Sequence, residues 1–187
     1  HKFLNWRKPY ERKKFNISNK NNIRILKLSR IELTHFDKNG NPSMVDINKK
    51  KSTVRVAIAS GKIIMKANTL KKILDLEIKK GDVLNVAKLA GIMAAKKTDE
   101  LIPLCHSIAL SYVKVDLKPN IEDSSVNITA EASLIGKTGV EMEALTAVSV
   151  ASLTIYDMCK AIDREMTLTN IKLIHKSGGK SGEFNAV

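Results

Sequence analysis

Two neighbouring side chains in the segment DELIPLCHS, Cys105 and His106, have the chemistry of a nucleophile and a base. A cysteine thiolate attacks carbonyl or phosphoryl groups, and a histidine beside it can take the thiol proton. Adjacent residues of an extended chain point to opposite faces, however, which weakens such a pair. A zinc site would need a further Cys or His at ligand spacing, and the neighbouring sequence offers none. Two interpretations stay open: a buried cysteine beside a hydrogen-bonding histidine, or a histidine that donates to a substrate.

A glycine-flanked lysine, Lys137, stands just before a predicted long helix in the segment GKTGVEMEAL. Thr138 and Glu141 have the spacing of a helix capping box, and the helix dipole favours Glu143 in the first turn. Capping therefore explains both glutamates without any catalytic role. It does not explain Lys137, because glycines, a lysine and free N–H groups at a helix start together form an anion-binding arrangement. The segment predicts an anion cradle that differs from the GxxxxGK[ST] phosphate loop.

Asp157 and Lys160 stand three residues apart on the same predicted helix and therefore share one face. They could form a solvent-exposed ion pair of little energetic value. The surrounding run of small apolar residues instead favours a buried lysine with a lowered pKa, which could act as an acid or base oriented by Asp157. The residues alone do not decide between the two.

A single straight helix cannot bring Glu141 and Asp157 to one ligand. They are 16 residues apart, or about 24 Å at the rise of an α-helix. If both serve one site, copies from two subunits must meet there. The spacing therefore predicts an oligomer with shared sites, if both residues are functional.

Periodicity predicts the elements that would position these residues. Alternating and helical patterns, with their capping and turn residues, indicate the following: a strand over Val54–Met65, a helix over Thr69–Lys80 capped by Thr69, a helix capped by Asp82 and running to Ala94, paired antiparallel strands over Leu110–Leu117 and Val126–Ala132, a long helix over Val140–Arg164, and a strand over Ile171–Ile174 that leads into the loop KSGGKSG at 176–182. Helices between antiparallel strands indicate an α+β sandwich with the helices on one sheet face, and a ferredoxin-like arrangement fits best.

The distribution of charge argues against a nucleic-acid-binding surface. The chain of 187 residues carries a formal net charge of +13. Residues 1–33 hold ten basic and two acidic side chains, and residues 34–187 hold 22 basic and 17 acidic ones. We therefore divide the chain into a basic extension, 1–33, and a folded domain, 34–187. The domain is only mildly basic, which favours an anionic small-molecule substrate over DNA or RNA.

The composition also indicates in which cellular compartment the protein works. No apolar run approaches the roughly 18–20 residues of a membrane-spanning helix, so we expect no membrane contact. Two cysteines are too few for a disulfide framework. We expect a cytoplasmic or organellar matrix protein that is not secreted. The extension is interpreted first as a solvated tail, second as the remnant of an organellar targeting segment, and third as a basic arm that contacts a partner.

Several longer blocks of the sequence resemble the cyclic pyranopterin monophosphate synthase family, in the same order as in that family and over about residues 34–184. The blocks that carry the resemblance are MVDI (44–47), TVR (53–55), KGDV (80–83), AGIMAAKKT (90–98), LIPLCH (101–106), GKTGVEMEALTA (136–147), SVASLTIYDMCKA (149–161) and KSGGKSGEF (176–184). One departure is Ser107, where the family usually has proline. A proline would stiffen this edge of the pocket.

The resemblance implies the second step of molybdenum cofactor synthesis. The substrate is then a phosphorylated, cyclised guanosine, 3′,8-cyclo-7,8-dihydro-GTP. Its purine ring opens and recondenses as a pyranopterin, a cyclic phosphate forms, and pyrophosphate leaves. The family is ferredoxin-like and hexameric, a trimer of dimers with its sites at the dimer interface. We expect no metal ligands and no cofactor, since no carboxylate cage is visible in the sequence, but the sequence does not decide whether a divalent ion accompanies the triphosphate.

The resemblance also implies roles for individual residues. Lys80 and Lys160 correspond to the general acid/base pair, with Asp157 supporting Lys160. The expected substrate-binding residues are Leu104, Cys105, His106, Glu141, Met142 and Glu143 on the pocket walls, and Lys50, Arg55, Lys176 and Lys180 around the triphosphate. Lys137 and Lys96 are weaker candidates.

Two other classes compete with the synthase. A ferredoxin-like sheet can bind RNA, but such sheets usually present aromatic side chains for base stacking. The predicted strand pair offers only Tyr112, and aromatic residues make up 4% of the chain. An inactive homologue kept for assembly would lack a catalytic lysine, whereas both Lys80 and Lys160 are present.

Overall fold

The structure, a computed structural model, describes residues 41–186. Its elements are, in chain order, β1 (Thr53–Ile64), α1 (Ala67–Leu74), α2 (Val83–Ala95), α3 (Thr98–Leu101), β2 (Tyr112–Asn120), β3 (Ser125–Gly136), α4 (Glu141–Cys159), β4 (Thr167–Ser177) and β5 (Phe184–Asn185). The described residues include no helix that is long and apolar enough to cross a membrane.

The strands form one antiparallel sheet in the order β2-β3-β1-β4-β5. In β1, the central strand, Thr53 pairs with Gly136 of β3, and Val56 pairs with Ser177 of β4. Helices α2 and α4 pack against each other and against the sheet. With β5 added at one edge, this is the β-α-β-β-α-β plan of ferredoxin-like folds. The predicted α+β class is confirmed.

Small residues bring α2 and α4 close together in the core. A Cβ placed on Gly91 of α2 would lie 2.9 Å from the carbonyl oxygen of Ala147 and 3.3 Å from the Cβ of Ala151, both on α4. The sheet side of α4 is similarly tight, because a Cβ on Gly61 of β1 would lie 2.6 Å from Val148. Close packing of this kind resists displacement. It fixes the helix whose two ends carry the candidate site residues.

Helix α1 begins three residues earlier than its capping pattern predicts. Thr69 is not the N-cap; Lys66 is, and its side chain makes no capping bond. Instead, the buried Asp163 accepts a hydrogen bond from the backbone N–H of Lys66 at 2.9 Å and another from the hydroxyl of Thr69 at 3.1 Å. A distant carboxylate thus supplies the acceptor expected from a local side chain.

Helix α1 also ends earlier than predicted, at Leu74 rather than Lys80. The chain turns at Leu76, whose φ of 57° lies in the left-handed region. The predicted cap of α2 is confirmed, because the Asp82 carboxylate accepts a hydrogen bond from the backbone N–H of Asn85 at 3.0 Å. Lys80 therefore lies in the short connection between the two helices.

The long helix α4 is shorter than the predicted Val140–Arg164 at its C-terminal end. The expected capping box is wrong: the N-cap is Val140, no side chain caps it, and Thr138 lies before it. The helix stops at Cys159 because the following residues turn back to place Asp163 beneath α1.

The strands mostly extend beyond their predicted bounds. Pro119, expected in a turn, pairs with Val126 in β2, which is an edge strand where proline is tolerated. β4 runs from Thr167 to Ser177, so Lys176 lies on a strand and not in a loop. α3 and β5 were not predicted. The basic extension and the domain boundary after residue 33 lie outside the described residues.

Candidate active site

Lys80, Asp157 and Lys160, which we call the lysine–aspartate triad, meet at the C-terminal end of α4. The Nζ of Lys160 lies 2.7 Å from Oδ1 of Asp157, and the Nζ of Lys80 lies 2.9 Å from Oδ2. Lys80 also donates to the backbone carbonyl of Asp157 at 2.9 Å. One carboxylate thus holds two ammonium groups, one from its own helix and one from the α1–α2 connection.

The interpretation of Lys160 as a buried amine with a lowered pKa is wrong for the single chain. Its side chain is 53% exposed and that of Asp157 is 57% exposed. Hydrogen bonding and charge attraction from Asp157 raise the pKa of Lys160 above its usual range. The hydrogen bonds from Lys160 and Lys80, with their charges, lower the pKa of Asp157 to about 2. Asp157 and Lys160 are therefore ionised near neutrality, and the ammonium group of Lys160 can supply a proton.

A basic cavity of about 790 Å³ lies at the other end of α4. Its lining includes seven cationic side chains and one carboxylate: Lys49, Lys50, Lys51, Arg55, Lys137, Lys176, Lys180 and Glu141. Such a surplus of positive charge favours a ligand with several negative charges. Four of the predicted substrate-binding residues, Lys50, Arg55, Lys176 and Lys180, lie here together.

Glycines shape the rim of the basic cavity around Arg55. Gly178 and Gly179 have φ values of +96° and +76°, which L side chains rarely adopt. A Cβ on Gly178 would overlap the carbonyl oxygen of Val54, and one on Gly179 would overlap the Arg55 guanidinium. Arg55 is mostly buried and its Nε donates to the Gly136 carbonyl at 3.3 Å. The glycines thus let the loop lie directly on a fixed arginine.

A second cavity, of about 670 Å³, adjoins the basic cavity; we call it the Cys105 cavity. It is lined mainly by apolar and neutral groups together with two glutamates: Val45, Lys50, Ile102, Leu104, Cys105, His106, Thr138, Gly139, Glu141, Met142 and Glu143. The two cavities share four lining residues, Lys50, Thr138, Gly139 and Glu141. One ligand can therefore extend from one cavity into the other.

Three polar side chains of the Cys105 cavity form hydrogen bonds with the protein, and one of their oxygen atoms has no partner among the described residues. His106 donates from Nε2 to the carbonyl of Val45 at 2.8 Å. Cys105 donates to Oε1 of Glu143 at 3.7 Å. The other oxygen of Glu143, Oε2, is buried and has no hydrogen-bond partner among the described residues. A buried carboxylate oxygen without a partner is costly, so a ligand that donates to it would be favoured.

The thiol of Cys105 is a poor nucleophile in this setting. Burial, with the nearby charge of Glu143, raises its pKa to about 11. The thiolate is therefore scarce near neutrality, and the Cys–His nucleophile interpretation is not supported. Burial also raises the pKa of Glu143. Both groups are therefore better suited to hydrogen bonding than to covalent catalysis.

All thirteen predicted site residues fall into these two regions. The triad lies at one end of α4 and the other ten residues line the two cavities. The separation of Glu141 and Asp157 along the helix, about 24 Å, divides the two regions within one chain. Lys96, a weaker candidate, is the exposed C-cap residue of α2 and lines neither cavity.

The sequence interpretation missed Lys49, Lys51, Thr138 and the backbone of Val45. A run of three lysines before a strand carries no motif, and a backbone acceptor leaves no trace in side-chain patterns. Within residues 41–186, no group of His, Cys, Asp or Glu side chains is arranged to hold a metal ion.

Comparison with known proteins gives one consistent result. A sequence model of the MoaC family matches residues 44–179. The chain is 60% identical over 152 residues to the cyclic pyranopterin monophosphate synthase of Magnetococcus marinus, covering 81% of this chain and 93% of that protein. It is 57% identical over 153 residues to that of Desulfatibacillum aliphaticivorans, covering 82% and 96%, and 54% identical over 154 residues to that of Clostridium acetobutylicum, covering 82% and 96%.

Proposed function

Because the chain belongs to the MoaC family, we propose that it is a cyclic pyranopterin monophosphate synthase, a lyase of molybdenum cofactor biosynthesis. Its substrate is (8S)-3′,8-cyclo-7,8-dihydroguanosine 5′-triphosphate, and its products are cyclic pyranopterin monophosphate and pyrophosphate. The observation that carries the proposal is the lysine–aspartate triad, in which one carboxylate orients two amines.

The basic cavity takes the triphosphate. Lys50, Arg55 and Lys180 have no carboxylate partner among the described residues, so their charges are available to phosphate oxygens. A planar guanidinium suits two phosphate oxygens at once. Arg55 is also held in place by the Gly136 carbonyl and the Gly178–Gly179 loop. These cations stabilise the charge that accumulates on the leaving pyrophosphate.

The Cys105 cavity takes the ring system of the substrate. Its apolar wall suits a flat heterocycle, and the buried Oε2 of Glu143 is an acceptor for ring or exocyclic N–H groups. The side chain of His106 is oriented by its bond to Val45. Because the cavities adjoin, one ligand can place its ring here and its phosphates in the basic cavity.

Lys160 and Lys80 move the protons. Ring opening and recondensation need protons delivered to nitrogen and removed from oxygen, which positioned amines perform as general acids and bases. The raised pKa of Lys160 fits a proton donor. Asp157 orients both amines and keeps their relative position fixed.

The complete site combines two chains. The triad and the cavities lie at opposite ends of α4, so the triad of one chain acts on the substrate held by another. The helical surface supports self-association, because Val86, Leu89 and Met93 form an exposed apolar stripe on α2 and Leu153 is exposed on α4. We propose a homohexamer built as a trimer of dimers.

The deciding experiment is incubation of the full chain with the cyclised triphosphate, scoring pyrophosphate and pterin fluorescence together. The wild type should form both, and Lys160→Ala should form neither while remaining folded and assembled. Lys114→Ala, which removes an exposed lysine paired with Asp116 on β2, is the matched control and should turn over normally. Normal turnover by Lys160→Ala would refute the assigned role.

Co-expression of two inactive variants tests the shared site. Lys160→Ala has an intact basic cavity, and Arg55→Met has an intact triad. If each site takes its triad from one chain and its cavity from another, equal co-expression leaves about one site in four intact. Recovery of about a quarter of the activity is expected, and no recovery would show that each chain carries a complete site.

Nucleic-acid binding finds no support. The described part of the sheet carries only Tyr112 and Phe184 as aromatic residues, on different edge strands. Base-stacking platforms need more than this.

A further inference from the structure

The basic cavity contains a single carboxylate, and it is bound to one of the cations. Among the described lining residues, Glu141 is the only acid against seven Lys and Arg side chains. Its Oε1 lies 2.9 Å from the Nζ of Lys176. Both side chains are about two-thirds or more buried, at 30% and 28% exposed. An ion pair at this position occupies a cation that would otherwise face the ligand.

The absence of a side chain at Gly139 leaves room for this carboxylate. Glu141 is the first residue of α4, and a Cβ on Gly139 would overlap its carboxyl group. The side chain is therefore folded back over Gly139, at the boundary that the basic cavity shares with the Cys105 cavity. Capping does not account for this conformation, since no side chain caps the helix.

We infer that the Glu141 carboxylate competes with a phosphate group for Lys176 and so limits the affinity of the basic cavity for pyrophosphate. The inference rests on the proposed function and adds a role for Glu141 that is distinct from a substrate-binding wall. When the triphosphate binds, a phosphate group takes Lys176 from Glu141. After the reaction, the carboxylate returns to Lys176 and helps to displace pyrophosphate.

The electrostatics of the cavity make such a competitor useful. Seven cations lining one cavity would hold a pyrophosphate ion tightly, and slow release of a product limits turnover in many enzymes. A tethered carboxylate has a high local concentration, so it competes effectively although the individual ion pair is weak. Because either ligand must displace Glu141 from Lys176, the competitor weakens the binding of pyrophosphate and of the substrate by a similar factor, but the substrate keeps the additional contacts of its ring in the Cys105 cavity.

Isothermal titration of the full chain with inorganic pyrophosphate tests the inference directly. Glu141→Gln keeps the shape of the side chain and removes its charge. We expect it to bind pyrophosphate about three- to tenfold more tightly than the wild type, the range for loss of one competing ion pair. Glu122→Gln is the matched control, because it makes the same charge change in the β2–β3 turn, about 36 Å away along β1. It should leave the affinity unchanged.

A double-mutant cycle separates competition for Lys176 from a general effect of charge. In a Lys176→Gln background, which has no amine to compete for, Glu141→Gln should change pyrophosphate affinity by less than about twofold. The same three- to tenfold effect in both backgrounds would overturn the inference. So would a pyrophosphate affinity that Glu141→Gln leaves unchanged, or the absence of detectable pyrophosphate binding by both the wild type and Glu141→Gln.

The outcomes also separate this inference from the proposed function. If the wild type releases pyrophosphate from the cyclised triphosphate but Glu141→Gln binds it no more tightly, only the competition is wrong. If pyrophosphate binding responds as expected but no pterin forms from the substrate, the proposed function is wrong and the cavity serves another polyphosphate.

Discussion

Replacing Asp157 with asparagine gives the sharpest test of the triad. The two lysines contact different oxygens of the carboxylate, Lys160 at Oδ1 and Lys80 at Oδ2. An asparagine has one acceptor oxygen and one donor NH₂ group, so it can accept from only one of the two amines. Since Lys80 also donates to the backbone carbonyl of residue 157, we expect the amide oxygen to face Lys160. The variant should keep the arrangement of the amines but loosen it.

The expected loss of kcat in Asp157→Asn depends on which hydrogen bonds the two amines retain. Removing a positioned acid or base costs about a hundredfold to ten-thousandfold in rate. In Asp157→Asn both amines remain and each retains one acceptor, so we expect kcat to fall only about ten- to a hundredfold. KM should be nearly unchanged because the phosphate-binding cations are unaltered. The carboxylate is exposed, so thermal stability should hardly change.

The pH dependence of kcat distinguishes an electrostatic role of Asp157 from a purely structural one, because a structural role would not shift the pH profile. Asp157 raises the pKa of Lys160, and removing its charge lowers that pKa. If Lys160 donates a proton, the rate falls as the pH rises through its pKa. The alkaline limb of the profile should therefore move to lower pH in Asp157→Asn. The pKa of Asp157 itself is about 2, so its ionisation should leave no acidic limb near neutrality.

Asp116→Asn is the matched control for this measurement. Asp116 is an exposed carboxylate that pairs with Lys114 at 2.7 Å on β2, away from the triad. It should leave both kcat and the pH profile unchanged. An unchanged kcat in Asp157→Asn, or an alkaline limb that moves to higher pH, would refute the role of Asp157 in holding Lys160 protonated.

Two further substitutions test the support around the site. Gly178→Ala should raise KM about tenfold or more with little change in kcat, because a side chain at φ +96° would push the loop off Arg55; steady-state kinetics measures this, and an unchanged KM would separate the loop from phosphate binding. Asp163→Ala should destabilise the domain by about 3 kcal/mol, because it leaves the N–H of Lys66 and the hydroxyl of Thr69 without an acceptor. The midpoint of thermal denaturation should then fall by about 6–12 °C. A fall of less than 2 °C, roughly 1 kcal/mol or less, would mean that water replaces the carboxylate.

The strands and the core could be predicted from the sequence because their signals are local. In β1 the buried residues Arg55, Ala57, Ala59 and Ile63 alternate with more exposed ones, as a half-buried strand requires. The cap of α2 was equally accessible, since Asp82 and its partner Asn85 are three residues apart. In both cases the contact that stabilises the element is short in sequence.

Two errors arise where the contact is long in sequence. The start of α1 depends on Asp163, which is 94 residues from Thr69, so a local search selected the threonine that donates to the carboxylate instead of the carboxylate itself. The end of α4 was misjudged for the same reason, because the apolar pattern continues while the chain has already turned towards α1. Local patterns place a helix but not the tertiary contact that stops it.

The candidate site shows the same division. The pairing of Asp157 with Lys160 follows from helical spacing, whereas their contact with Lys80 joins residues 77 apart and was suggested by family resemblance alone. The exposure of the triad could not be predicted either. The small apolar residues around it indicate a buried helix face, but the two charged residues project from the opposite face into solvent in the single chain.

The length of α4 decides what a single chain can do. The triad holds amines positioned by a carboxylate but lines neither cavity. Among the described residues that line the cavities, the only amine paired with a carboxylate is that of Lys176, which binds Glu141. A ligand that contacts the triad would have to extend roughly 24 Å to reach the cavities of the same chain. Bending the helix would break its tight contacts with α2 and β1 at Gly91 and Gly61. The rigid packing that positions each half of the proposed site therefore also prevents one chain from uniting them, and the proposed mechanism requires a second copy.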